Sequence, residues 1–219
     1  MAFNVDLHTH SGASPDGALT ASQYRLMLQS GRLHCIAITD HNTIAFAQQL
    51  HAELGDCIIV GEEIMTTEGE IIGLFLTELV PPGLSAAEAT ARIRSQDGLV
   101  YVPHPFETHR KGLSKATATA IAADVDIIEV YNGRALLQHR GVMARRWARS
   151  NGVVSAASSD SHGLHGWGRT YMSLAAMPTR DTLVGLLQQA THHTGFAGLQ
   201  GMLYPRINRL KKWSAKRHV

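Results

Sequence analysis

Short apolar runs alternate with amphipathic stretches along the 219-residue chain. Runs at 3–8, 35–39, 57–60, 99–102, 126–130, 153–157 and 170–174 are either alternating or continuously apolar, the two patterns of half-buried and fully buried strands. Helical periodicity fills 20–30, 43–54, 85–96, 135–150 and 180–191, with a poorer segment at 115–123. Local signals agree with these bounds. Thr20 caps one helix and Gly31 stands at its stop, Ser85-Ala86-Ala87-Glu88 is a capping box, and Asn151-Gly152 closes the helix over 135–150. Residues 64–76 predict a β-hairpin turning at Glu68-Gly69. The alternation predicts an α/β protein of parallel βα units, in a number that suits a barrel. No internal repeat and no linker divides the chain, so one domain over residues 1–219 is expected, with a basic tail from about 204.

Composition narrows the class. Hydrophobic residues make up 44% and charged residues 17%, which is globular and excludes wholesale disorder. No apolar run approaches the ~18 residues of a membrane span, and no basic-then-apolar leader precedes the first strand, so a cytoplasmic protein is expected. Cys35 and Cys57 lie in apolar runs and read as buried free thiols. Charge is uneven. From Thr182 onward there is no Asp or Glu, while Arg206, Arg209, Lys211, Lys212, Lys216 and Arg217 are basic.

The thirteen histidines carry the chemistry. His8 and His10 are two apart on a strand, so both imidazoles leave the same face. Such a pair suits zinc, manganese or iron. Further clusters follow at Thr39-Asp40-His41, Gly61-Glu62-Glu63, Pro103-His104-Pro105 and Ser159-Asp160-Ser161-His162, each where a strand-like run stops. In a barrel those positions gather at one mouth. Any one of these histidines taken alone reads as a hydrogen-bonded structural residue. Together they read as a metal site, because buried ionisable groups are costly unless paired or metal-bound.

The motifs Asp6-Leu7-His8-Thr9-His10-Ser11, Asp16-Gly17, Ile38-Thr39-Asp40-His41-Asn42, Gly61-Glu62-Glu63-Ile64, His104-Pro105 and Ser159-Asp160-Ser161-His162, in this order, resemble the polymerase and histidinol phosphatase (PHP) superfamily. The resemblance implies a distorted seven-stranded (β/α) barrel that binds two or three divalent ions (manganese, iron or zinc) and cleaves phosphate esters. It implies that His8 and His10, with Asp160, hold one ion, and that Asp16, His41 and His162 surround another. Glu63 is implied to bridge two ions, and His104 to serve the remaining one. The implied mechanism is attack by a metal-bridging hydroxide, formed from water between cations about 3.5–4 Å apart.

One position departs from the pattern. Several relatives have a histidine where this chain has Glu70, which is either a replacement ligand or a solvated hairpin residue; if the latter, two ions are expected rather than three. Asp40 is either a group that orients an imidazole or a structural partner in its loop. Arg110 and Arg134 follow strand-end motifs and either bind the substrate phosphate or are plain loop residues. Glu129 and Asn132 either line the pocket or close their strand. Trp167 reads as packing, and His109, His165, His192 and His193 as surface or local residues. Tyr204 and Trp213 interleave with the basic tail, which is either a nucleic-acid-binding stretch or a solvated terminal helix. The expected activity is hydrolysis of a phosphomonoester, nucleotide or short oligonucleotide. The alternatives are a metal-dependent amidohydrolase, disfavoured by Gly-Glu-Glu where a carboxylated lysine is usual, and a non-catalytic, metal-stabilised nucleic-acid-binding module.

Overall fold

A computed structural model describes residues 2–215. Nine strands form one sheet: β1 (Phe3–Thr9), β2 (Cys35–Ile38), β3 (Ile58–Thr66), β4 (Gly69–Leu74), β5 (Leu99–Val102), β6 (Ile127–Asn132), β7 (Val154–Ser158), β8 (Tyr171–Leu174) and β9 (Thr191–His193). Their spatial order is β7-β6-β5-β4-β3-β2-β1-β8-β9. Helices α1 (Ala21–Gln29), α2 (Ala45–Leu54), α3 (Ala86–Ser95), α4 (Lys115–Ala120), α5 (His139–Asn151), α6 (Leu183–Leu187) and α7 (Gly198–Ala215) complete the fold.

The first seven strands curl until the end of β7 reaches β1. Asp160 N donates to His8 O at 2.9 Å and His10 N donates to Ser161 O at 2.9 Å, and Thr9 bridges Ser161 in parallel. The result is the expected nearly closed barrel. Alternation along the strands divides the apolar residues into two layers. Ile36, Ile38, Ile58, Val60, Val100, Val102 and Ile128 pack against Leu50, Ala89, Ile93, Ala118 and Trp147 of the surrounding helices. Ala37, Ile59, Ile72, Leu99, Tyr101 and Ile127 fill the interior, where Leu183 and Leu187 of α6 join them.

The capping signals form as read: Thr20 accepts from Gln23 N and Ser85 from Glu88 N, with both reciprocal bonds present. Gly152 closes α5 in the left-handed conformation. Both cysteines are free, and Cys35 is buried. Trp167 packs in the outer layer, edge-on to Tyr24.

Four expectations change. The sheet is not wholly parallel, because β4 inserts antiparallel between β3 and β5, and β8 and β9 add antiparallel strands beside β1. β3 does not stop at Gly61-Glu62-Glu63. β2 ends at Ile38, opposite Val60, so beyond that point β3 continues by pairing with β4, and Glu63 lies mid-strand opposite Ile72. The helix expected over 180–191 shortens to Leu183–Leu187, and Thr191–His193 pairs with β8 instead. Finally, residues 198–215 form an 18-residue helix that packs onto the barrel mouth. Lys216 and Arg217 of the basic tail lie outside the described residues. No helix among the described residues is long and apolar enough to cross a membrane.

Candidate metal centre

Strand alternation aims the key carboxylates inward. Ile59 and Glu63 share one face of β3, Glu70 and Ile72 one face of β4, and Ile127 and Glu129 one face of β6, so each acidic residue continues the interior apolar layer toward the mouth. Beyond β1, β2, β5 and β7 the connecting loops carry His10, His41, His104, Asp160 and His162. His104 (φ 27°) and Asp160 (φ 52°) hold left-handed backbone conformations. Such strain in non-glycine residues collects at functional sites.

Three ligand sets adjoin around Glu63, two through its own oxygens and the other through His41, whose Nδ1 lies 3.4 Å from Glu63 Oε2. In the first, His8 Nε2 lies 3.1 Å from His10 Nε2, 3.4 Å from Glu63 Oε2 and 3.7 Å from Asp160 Oδ1. His10 Nε2 lies 3.2 Å from the same Glu63 oxygen and 3.6 Å from Asp160 Oδ1. A tetrahedral ion with ligand bonds of ~2.1 Å has ligand–ligand edges of about 3.4 Å. The His8, His10 and Glu63 atoms therefore match one face of a coordination shell, and Asp160 Oδ1 stands beside the two imidazoles. In the second set, Asp16 Oδ1 faces His162 Nε2 at 3.4 Å and His41 Nε2 at 3.6 Å, and the His10 and His162 rings lie 4.1 Å apart. In the third, Glu63 Oε1 faces His104 Nε2 at 2.9 Å. Glu70 faces His104 Nε2 at 3.7 Å and His41 Nδ1 at 3.6 Å. Glu70 is thus buried among the ligand candidates, not solvated on its hairpin.

Charge tests whether this donor set fits a metal. Asp16, Glu63, Glu70, Glu129 and Asp160 are all at most 5% exposed, a concentration of carboxylates that needs cations. Without an ion, protons do part of that work. Burial alone would lower His41, but the charges of Glu63 and Asp16 outweigh it and raise its pKa to about 9. Burial and the neighbouring Glu63 charge raise Glu70 to about 7. His162 goes the other way, to about 3, through burial and the charges of His10 and Arg134, which leaves a neutral imidazole suited to ligation. The buried Nδ1 atoms of His41 and His104 have no hydrogen-bond partner. Imidazole and carboxylate donors in these clusters suit zinc, manganese or iron.

Of the two readings open for Asp40, the structure supports the structural one and not the imidazole-orienting one. Its carboxylate accepts from Ser11 N and Ser11 Oγ, so it fixes the loop after β1 and does not orient an imidazole. That task falls to Glu129, whose Oε1 lies 3.3 Å from His8 Nδ1. Tyr101 Oη, His104 N and Asn132 Nδ2 also donate to Glu129, holding it rigidly. Asp6 supports the backbone instead, accepting from Ser159 N and Ser159 Oγ and so tying β1 to the loop that bears Asp160.

Arg110 and Arg134 reach the same centre. Arg134 donates to Asp160 Oδ1 at 2.8 Å, and Arg110 donates to Asp160 Oδ2 at 3.1 Å and to Asn132 Oδ1 at 2.6 Å. Both line a cleft of about 920 Å³ over the ligand atoms, with His109, Lys111, Arg140, Arg206 and Arg209. One wall is apolar, built from Leu136, Leu137, Met202, Leu203 and Pro205. The sequence reading missed the contribution of α7, whose Asn208 and Arg209 bond to residues of the centre. Their only signal was the basic tail, which has no motif.

No family model matches the chain. Two uncharacterised proteins of Methanocaldococcus jannaschii are similar in sequence. One is 38% identical over 143 residues, covering 59% of this chain and 82% of the relative, and the other 32% identical over 184 residues, covering 80% and 72%. Among solved structures, a two-domain protein of Bacteroides vulgatus containing a predicted PHP-like metal-dependent phosphoesterase superposes with a TM-score of 0.64 at 19% identity, over 95% of this chain and 63% of that one. A candidate metal-dependent phosphoesterase of Bifidobacterium adolescentis gives 0.61 at 17% identity, over 84% and 96%. An amidohydrolase of Chromobacterium violaceum, solved with sulfate and no metal, gives 0.56 at 16% identity, over 73% and 87%.

Proposed function

The chain belongs to one family with the two M. jannaschii proteins, and from its ordered motifs and barrel we propose that it is a PHP-type metal-dependent phosphoesterase acting on a phosphomonoester or nucleotide. The observation that carries this reading is the overlap of imidazole and carboxylate clusters around Glu63 and His10 beneath a cleft rimmed by guanidinium groups. His8, His10, Glu63 and Asp160 would hold one ion, Asp16, His41 and His162 a second, and His104 with Glu63 and Glu70 a third. When bound, divalent ions supply Lewis acidity that activates water and neutralises phosphate charge.

The chain's own residues then have separable tasks. Glu129 fixes His8 through Nδ1 and keeps its Nε2 turned toward the centre. Arg134 lines the cleft beside Asp160, placed to hold a phosphate oxygen. The Arg110 guanidinium is already bonded to Glu107, Asn132 and Asp160, and so holds Asp160 in place instead of facing the substrate. The wall of Leu136, Leu137, Met202 and Leu203 offers apolar contact to the organic part of the ester. That combination favours a phosphate ester with a sizeable leaving group. Arg209 and Lys212 bond to the 12–16 segment, which draws part of the basic helix away from a nucleic-acid-binding role.

A second reading, amide hydrolysis, is favoured by the likeness to the Chromobacterium amidohydrolase fold. One experiment separates the two. Protein loaded with manganese or zinc is offered sugar phosphates, nucleotides, histidinol phosphate, short oligonucleotides and amide substrates, beside His104→Ala and Asp160→Ala. Phosphate release by wild type and its loss in both variants supports the proposal. Amide cleavage without phosphate release would replace it with the second reading.

A further inference from the structure

Helix α7 is joined to one of the three ligand sets. Asp16 presents Oδ1 to His41 and His162, and its other oxygen, Oδ2, accepts from Arg209 at 2.6 Å. One residue earlier, Asn208 Nδ2 donates to the backbone oxygens of Asp16 at 2.8 Å and His162 at 3.0 Å. One turn further along, Lys212 Nζ donates to Gly12 O at 2.7 Å and to Ser14 O. Asn208 and Arg209 thus hold both the main chain and the side chain of Asp16, and Lys212 ties the residues just before it to the same helix.

Geometry explains why the helix is needed. Asp16 sits in the loop between β1 and α1, not on a strand, so the sheet does not fix it. Gly17 beside it lies so close to the preceding loop that an added Cβ would stand 2.1 Å from Ser11 O. The loop is therefore tightly folded, and its outer side is closed by α7. An Asp has two equivalent oxygens and a free χ2, and occupation of Oδ2 by a guanidinium leaves Oδ1 as the one oxygen turned inward. Asn208 is buried, as its double contact with the main chain requires.

We infer that α7 completes the metal position formed by Asp16, His41 and His162, with Arg209 as the positioning residue for Asp16 and Asn208 as the clamp between the Asp16 and His162 backbones. The inference rests on the metal-dependent reading above. It assigns to the C-terminal helix a function in metal retention that the strand-end motifs do not contain.

The test is equilibrium binding of manganese to the full chain, with wild type, R209Q, R209K, N208A, D16N and the double variant D16N/R209Q. Arg209 has a 64% exposed side chain, so its substitution leaves packing intact. R209Q is expected to weaken one manganese ion by about 10–100-fold and spare the others. N208A should do the same, and R209K should recover most of the loss. In the D16N background R209Q should add nothing, because its effect passes through Asp16. Wild-type affinities in R209Q and N208A would overturn the inference. So would an R209Q protein that binds manganese normally and shows only a raised KM, since Arg209 would then contact substrate. A wild-type protein that binds no manganese and no zinc would instead remove the metal-dependent reading itself.

Discussion

Both oxygens of Glu63 face imidazoles: Oε2 meets His8, His10 and His41, and Oε1 meets His104. The four nitrogens and one carboxylate explain why burial fails to raise the Glu63 pKa, which the charges of His41 and His8 hold well below the ordinary value. Glu63→Gln keeps the shape and removes the charge, so metal affinity should fall by at least ~10–100-fold while the fold persists, as read by manganese titration and circular dichroism. The protons on the centre give a second prediction. His41 is raised to about 9 and Glu70 to about 7, so in the metal-free protein both hold protons at and below neutral pH that a cation must displace. Manganese affinity should therefore fall as pH drops from ~9 to ~6.5, with measurable proton release on binding. Affinity that is flat across that range would contradict this. At this scale the sequence was most informative, because His8, His10, His41, Glu63, His104, Asp160 and His162 lie in short motifs whose spacing survives folding. Glu129 was harder to place: a carboxylate at a strand end looks the same whether it caps the strand or fixes an imidazole.

Among the elements, the β3–β4 hairpin and the loop after β5 deliver Glu70 and His104 together. Glu70 pairs with Gly112, and an alanine Cβ at Gly112 would stand 2.2 Å from His104 O. Gly112→Ala forces that loop apart from His104, with an expected loss of about 1–3 kcal/mol in thermal or denaturant unfolding and weaker metal binding. An unchanged melting temperature would mean that the loop accommodates the methyl group. The hairpin was legible from Glu68-Gly69 between alternating runs, because turn chemistry is local. What the sequence hid was the consequence, that β4 enters the barrel and breaks its parallel run. α7 was illegible for a different reason. Its apolar residues Leu199, Leu203, Ile207 and Leu210 are exposed, Pro205 interrupts its interior, and its anchors are polar contacts to Asp16 and His162, residues far away in the chain. Residues 180–191 were overread as one helix because Leu183, Val184, Leu186 and Leu187 satisfy a short helical period, while Thr191–His193 is drawn into a strand by β8.

For the whole molecule, the barrel closes where β7 meets β1, and that seam passes through the centre, since His8 O accepts from Asp160 N. On the proposed reading metal binding and barrel closure are linked, because His8 and Asp160, joined across the seam, would share an ion. Saturating manganese, at roughly a hundred times Kd, should stabilise the fold by about 2.7 kcal/mol per ion, or roughly 5–10 °C in Tm for a domain of this size. Chelation should reverse it, and a Tm indifferent to both would detach the metals from the fold. The measurement that bears most directly on the account is a titration of the metal-stripped protein with manganese, recording bound metal and phosphate release from a nucleotide or sugar phosphate in the same samples. The account predicts no release without metal, release that rises with occupancy, and none at any occupancy in Asp160→Ala. Phosphate release that persists in stripped protein, or full occupancy with no release from any phosphate ester, would contradict it.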